Sequence, residues 1–152
     1  MTREILTVPD PALRAVCAPV EVFGPELAAL ADEMFAAMYD ATGRGLAAPQ
    51  VGVLQRLFVM DAGWKDGASD RLVAVNPTVT ALGADRVVRD EVCLSIPDRV
   101  TAVSRPARVA MRWQDLTGAW HEAEFEGPAA TILQHERDHL DGILCTDIGE
   151  PA

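Results

Sequence analysis

No stretch of this sequence approaches the ~18 consecutive apolar residues needed to cross a bilayer. The opening Met1-Thr2-Arg3-Glu4-Ile5 also lacks the apolar run of a secretory signal, so a cytoplasmic protein without membrane contact is expected. Cysteine is scarce and odd in number: Cys17, Cys93 and Cys145 argue against a disulfide framework and leave reduced thiols for other uses. Positive charge is short as well. Thirteen Lys and Arg against 23 Asp and Glu give a net charge of −10, which makes attraction to nucleic acid unfavourable, and no direct nucleic-acid binding is expected. Histidine occurs only as His121, His135 and His139, so an imidazole-based site has little to draw on. Against these absences stand 152 residues of 49% apolar content, sized for a single domain, residues 1-152, with a core of its own.

Two of the three histidines fall together in Gln134-His135-Glu136-Arg137-Asp138-His139. On a helix, positions i and i+4 stand one turn apart on the same face, so His135 and His139 can offer two imidazole nitrogens to one cation. Glu136 projects about 60° around the axis from His139. That direction suits a base acting on water rather than a metal ligand, the arrangement of metal-assisted hydrolysis. Gly127-Pro128 supplies a helix start, and Ala129, Ala130, Ile132, Leu133 and Leu140 supply an apolar face, so a helix from about Pro128 to Leu140 is expected.

Catalytic sites of this kind usually take three protein ligands. His121 sits beside Trp120 and Glu122 in a predicted strand, where a surface or hairpin role fits better. Only thirteen residues follow His139, too few for a later helix bearing a ligand. Cys145, in His139-x₂-Gly142-x₂-Cys145, mimics the last ligand of a metzincin, but no Met follows it for a Met-turn, and it reads better as a small buried residue. Cys93, in Asp90-Glu91-Val92-Cys93-Leu94-Ser95, remains as the preferred third ligand. A thiolate with two imidazoles suits Fe(II), Co(II), Ni(II) or Zn(II).

Apolar spacing orders the rest of the chain. A short turn is expected around Pro9 to Val16, and Pro25 to Tyr39 reads as a helix with Leu27, Leu30, Met34, Ala37 and Met38 as its stripe. Leu57 to Met60, Leu72 to Val75 and Val87-Val88 read as strands, with an exposed loop from Gly63 to Asp70. Arg108 to Trp113 and Trp120 to Phe125 alternate around Asp115-Leu116-Thr117-Gly118, a hairpin signal. Gly43-x-Gly45-x-x-Ala48 has the outline of a dinucleotide fingerprint, but it follows a helix and Pro49 interrupts any helix beginning there, which argues against a Rossmann unit. The predicted class is α+β: antiparallel sheets packed around a C-terminal metal-binding HExxH helix, with one N-terminal helix.

Three motifs, in order, resemble the peptide deformylase family. Gly43-Arg44-Gly45-Leu46-Ala47-Ala48-Pro49-Gln50 is similar to GxGxAAxQ, Glu91-Val92-Cys93-Leu94-Ser95 to EGCxS, and His135-Glu136-Arg137-Asp138-His139 to HExDH. The resemblance implies that Cys93, His135 and His139 bind one divalent ion, Fe(II) in the cell, with Zn(II), Ni(II) or Co(II) as substitutes. It implies Glu136 as general acid/base, Gln50 and the Leu94 backbone N–H as oxyanion donors, and Gly45 with Arg44 along the substrate. The implied reaction removes the formyl group from N-terminal formyl-methionine of nascent polypeptides and releases formate. It further places Asp138 near an arginine of the middle strands, for which Arg105 is the candidate.

Transient ribosome association would need a local basic patch, and Arg105 with Arg108 is the nearest pair, though both read more simply as strand-edge or core-supporting charges. The sequence ends at Asp147 to Ala152, where many bacterial members continue into another helix, so docking through such a helix is not expected. Two positions depart from the family pattern. Val92 replaces a usual Gly, which predicts a differently shaped segment. Arg44 stands where many members line the methionine pocket with an apolar residue; either its guanidinium bends out over its aliphatic stem or the pocket is altered. A noncatalytic or altered-specificity homologue is the alternative reading, and an HExxH metalloprotease a weaker one.

Overall fold

The structure is a computed structural model that describes residues 3–152. Helix α1, Pro25–Asp40, begins with Pro at its first position and Glu26 in its first turn, and it buries Leu27, Leu30, Met34, Ala37 and Met38, the stripe expected from the sequence. The chain then turns through Thr42 at φ 59° into Gly43, whose N–H reaches back to the Met38 carbonyl at 2.8 Å and closes the helix.

Strands β1 (Gly45–Ala47), β2 (Leu57–Asp61), β3 (Arg71–Ala81), β6 (Arg108–Gln114) and β7 (Trp120–Glu126) form one antiparallel sheet in that order. All five residues of β2 are buried, because α1 covers one face and helix α2 (Gly127–His139) the other. Strands β4 (Arg86–Val92) and β5 (Val100–Pro106) pair antiparallel, and the short β8 (Glu150–Pro151) extends them after a single helical turn, α3 (Cys145–Ile148). No described helix is long and apolar enough to cross a membrane.

Both main helices lie within a residue of the bounds expected from the sequence, as does the place of the β6–β7 hairpin, whose register pairs Arg108 with Glu126 and Gln114 with Trp120. Three details differ. The strand expected over Leu72 to Val75 runs further, because β3 continues through Asn76-Pro77 to Ala81. The register shifts between Val75 and Thr78, so Pro77 needs no ladder hydrogen bond, and the Asn76 amide replaces the lost pairing by bonding both the N–H and the carbonyl of Val20 at 2.8 and 3.0 Å. The loop after β2 contains a 3-10 turn, Trp64–Asp66, and Trp64 donates its indole N–H to the Gly43 carbonyl at 2.8 Å. Strand β5 carries no strand signal in the sequence, because its inward positions are Thr101, Val103 and Arg105, which is no apolar alternation. The amino-terminal turn is the 3-10 segment Pro11–Arg14, capped by the Asp10 carboxylate on the Ala12 N–H at 2.9 Å.

Candidate metal centre

Helix α2 starts from a glycine at positive φ, Gly127 at 63°, which lets the chain leave β7 and turn back beneath the sheet. Its inward face carries Leu133, His135, Glu136 and His139, all buried. The imidazoles of His135 and His139 stand 5.0 Å apart, and Cys93, immediately after β4, brings its Sγ to 3.4 Å from His139 Nε2. One donor atom from each of the three residues lies within 4.8 Å of the others, and all three side chains are buried. Metal–sulfur and metal–nitrogen bonds of ~2.3 and ~2.0 Å need donors spaced in this way.

The remaining bonds of these residues support the same assignment. His135 Nδ1 lies 2.8 Å from Glu91 Oε1, which fixes the ring and leaves Nε2 free to face Cys93 and His139. Burial above all holds His139 well below the usual imidazole range, so it is neutral and retains a lone pair. Glu136 Oε1 is buried with no hydrogen-bond partner among the described residues, and burial pushes its carboxyl up to about 7. A desolvated carboxylate beside three soft and borderline donors is what a cation with its water would complement. The residues present therefore fit a divalent transition ion.

A second convergence, Glu91, His135 and Cys145, fits less well. Both Glu91 oxygens are taken by Arg105, at 2.7 and 2.9 Å, and one of them also by His135. Burial pushes the Cys145 thiol up, so it stays protonated, as a small core residue would. Arg105 also donates to Asp138 at 2.9 Å, the pair expected from the sequence, and His135, Glu91, Arg105 and Asp138 form one buried chain of charge-assisted hydrogen bonds. Since Arg105 is buried, it and Arg108 do not make a surface basic patch.

Gln50 is buried and held at both ends of its amide: Oε1 accepts from Ala47 N–H at 2.9 Å, while Nε2 donates to Ser95 Oγ at 3.0 Å and points toward Cys93 Sγ at 3.8 Å. Gly45 lies against the Glu136 carboxylate so closely that a Cβ there would come within 2.6 Å of Oε2. Any side chain would displace the acid. Leu94 is half-buried and packs its side chain over Gly43.

A cavity of about 640 Å³ opens beside Glu136 and His135, and Gly45, Gln50, Leu94 and Arg44 all line it. Arg44 does not bend clear of the site: its Nε is buried in the wall without a partner among the described residues, and only its tip reaches within 4.0 Å of the exposed Asp66. Val92 does not reshape the backbone. It ends β4 as an ordinary strand residue opposite Val100, with its side chain exposed at the cavity rim, whereas positive φ at non-glycine described residues occurs at Thr42, Asn76 and Asp98.

Two contributors were not singled out from the sequence, Glu91 as the partner of His135 and Ser95 as the partner of Gln50. Strand alternation puts Glu91 on the face of Cys93, two residues on, but does not name its partner on the distant helix. His121 is exposed and hydrogen-bonded to Asp115 at 2.6 Å in the hairpin, away from this cluster, as expected.

The profile of the family described as Polypeptide deformylase matches residues 2–151. A peptide deformylase of Afipia carboxidovorans is 49% identical over 145 residues, covering 95% of this chain and 85% of the relative. One from Zymomonas mobilis is 48% identical, covering 94% and 83%. Among solved structures, the peptide deformylase of Thermotoga maritima superposes with a TM-score of 0.92 at 37% identity, covering 97% of each chain. That of Synechococcus elongatus, in complex with actinonin, gives 0.93 at 35% identity, covering 97% of this chain and 80% of that one. With sequence and architecture matched over nearly its whole length, the chain belongs to the polypeptide deformylase family.

Proposed function

We propose that residues 1-152 act as one domain that hydrolyses the N-formyl amide at the start of nascent polypeptides, releasing formate and a free amino terminus. The observation that carries this is the convergence of Cys93, His135 and His139 beside the buried Glu136, whose Oε1 has no hydrogen-bond partner among the described residues. Cys93, His135 and His139 would hold one divalent ion, Fe(II) in the cell, with Zn(II), Ni(II) or Co(II) as substitutes. Such an ion, when bound, would polarise the formyl carbonyl and make water acidic enough to ionise near pH ~7.

The chain's own residues supply the rest. Glu136 takes the proton of the attacking water and passes it to the amide nitrogen as the carbon–nitrogen bond breaks, so the water oxygen ends in formate and the proton on the free amine. Negative charge that develops on the formyl oxygen would be shared by the Gln50 Nε2–H and the Leu94 N–H. Ser95 and the Ala47 N–H hold the Gln50 amide from both sides, so it meets that charge without reorganising. Gly45 leaves room for Glu136 and for the substrate backbone, while Arg44 contributes to the wall beyond.

The setting is the cytoplasm, where formylated chains emerge, and contact with the ribosome would be transient. Formate release from formyl-Met-Ala-Ser by anaerobically prepared protein, with metal measured on the same sample, tests the proposal. About one metal per chain, formate as product and intact internal peptide bonds are expected. Cleavage of internal bonds would instead identify a protease.

A further inference from the structure

The cavity beside Glu136 is not lined for a purely apolar side chain. On the inward face of β4, Arg89 precedes Glu91 and Cys93 at two-residue spacing, so the strand that supports the metal site also projects an arginine into the cavity. Arg44 faces the same space from the loop before β1, and Lys65 stands at its edge. Three of the chain's 13 basic residues thus gather here, in a protein with a net charge of −10. Thr131 adds a hydroxyl one helical turn before His135.

The arginines are also incompletely bonded. Arg44 Nε and Arg89 Nε are both buried without a hydrogen-bond partner among the described residues. Buried donors are normally satisfied, and leaving one unpaired is costly. The acidic groups on the cavity wall do not resolve this. Glu91 is fully engaged by Arg105 and His135, Glu136 lies against Gly45, and Asp90 is exposed on the other face of β4.

We propose that this cavity is a carboxylate subsite, so that formylated substrates bearing a carboxylate next to the scissile amide are preferred over neutral isosteres. This deepens the deformylase reading and rests on it for the position of the formyl group. With that group at Glu136, the adjoining part of the substrate enters the cavity, where guanidinium forks match a carboxylate in a planar two-point arrangement. A methionine thioether can lie along the arginine stems, but it gives the buried Nε–H groups no strong acceptor. The carboxylate could come from an acidic first side chain or from the main-chain terminus of a very short formylated compound.

The test compares amide-capped formyl-Glu-Ala-Ser, formyl-Gln-Ala-Ser and formyl-Met-Ala-Ser, with N-formyl-methionine and its amide as a second pair. Formate release gives kcat/KM, and calorimetric titration with N-formyl-Glu-amide and N-formyl-Gln-amide gives binding independently of turnover. Glu over Gln by about tenfold or more in either readout is expected, falling to near parity in Arg89→Leu and in Arg44→Leu, with methionine gaining in the double variant. A gain confined to the N-formyl-methionine acid over its amide would locate the carboxylate at the main-chain terminus. Equal Glu and Gln together with equal acid and amide overturns the subsite even if formate is released. Selective binding of the anionic compound without formate release upholds the subsite and overturns the deformylase reading. Retention of the full Glu preference in the double variant would overturn the assignment to these arginines.

Discussion

The chain contains two histidine–carboxylate pairs of nearly the same length, and they do opposite kinds of work. His121 and Asp115 meet at 2.6 Å in the β6–β7 hairpin, where both are substantially exposed and Thr117 and Ala119 bond the same carboxylate. His135 and Glu91 meet at 2.8 Å under the sheet, where both are buried and Glu91 is gripped by Arg105. Water screens the first pair and competes for every bond it makes, so it shapes a turn and little else. In the second, the low dielectric makes each bond directional and each unpaired charge costly, so the pair fixes which imidazole nitrogen faces Cys93. Burial, more than residue type or distance, separates a site from a surface decoration.

Removing a donor at the buried end gives the largest effect. Cys93→Ala is expected to lose most of its bound metal and with it all measurable formate release; full metal occupancy by elemental analysis would return Cys145 to the ligand set. The oxyanion side comes next. Gln50→Ala should lower kcat by about 10²–10³ with metal retained, as for loss of one oxyanion donor. Ser95→Ala should lower it less, since it only steadies the Gln50 amide, and an equal loss in both variants would give Ser95 a direct role.

How much of this was legible in the sequence follows the same divide. His135, Glu136 and His139 could be placed because a helix converts spacing directly into shared direction. Cys93 followed because few other donors exist, and the motif resemblance supplied Gln50, Leu94 and Gly45. Glu91 and Ser95 were hidden because their partners, Arg105 and Gln50, come from elements far away in sequence, and no local period reports such a contact. Strand β5 was hidden for a related reason. Its inward Arg105 looks like a solvent-facing charge until the carboxylates of Glu91 and Asp138 are seen closing on it. At the two positions that depart from the motif pattern, only the packing distinguishes Val92, which sits at the rim, from Arg44, which enters the wall.

Stability should divide along the same line. Arg105→Ala leaves Glu91 and Asp138 buried without their cation and is expected to cost ~3–5 kcal/mol in urea unfolding. Adding Asp138→Ala should then cost much less than it does alone, with a coupling of about 1 kcal/mol or more. Additive losses would dissolve the network into separate contacts. At the exposed end, Arg108→Ala removes a partner of Glu124 in the hairpin and should shift stability by less than about 1 kcal/mol, and less still at high salt. A larger loss there would erase the contrast between the two regions.

If Glu136 performs proton transfer beside a metal held by Cys93, His135 and His139, as proposed, removing its carboxylate stops the chemistry and spares the metal. Glu136→Ala, prepared anaerobically and assayed for metal content and formate release on one sample, tests it most directly. Metal retained at the wild-type level with turnover reduced by about 10²–10⁴, the range of a lost general acid/base, is expected; near-normal turnover with metal bound would overturn the role of Glu136.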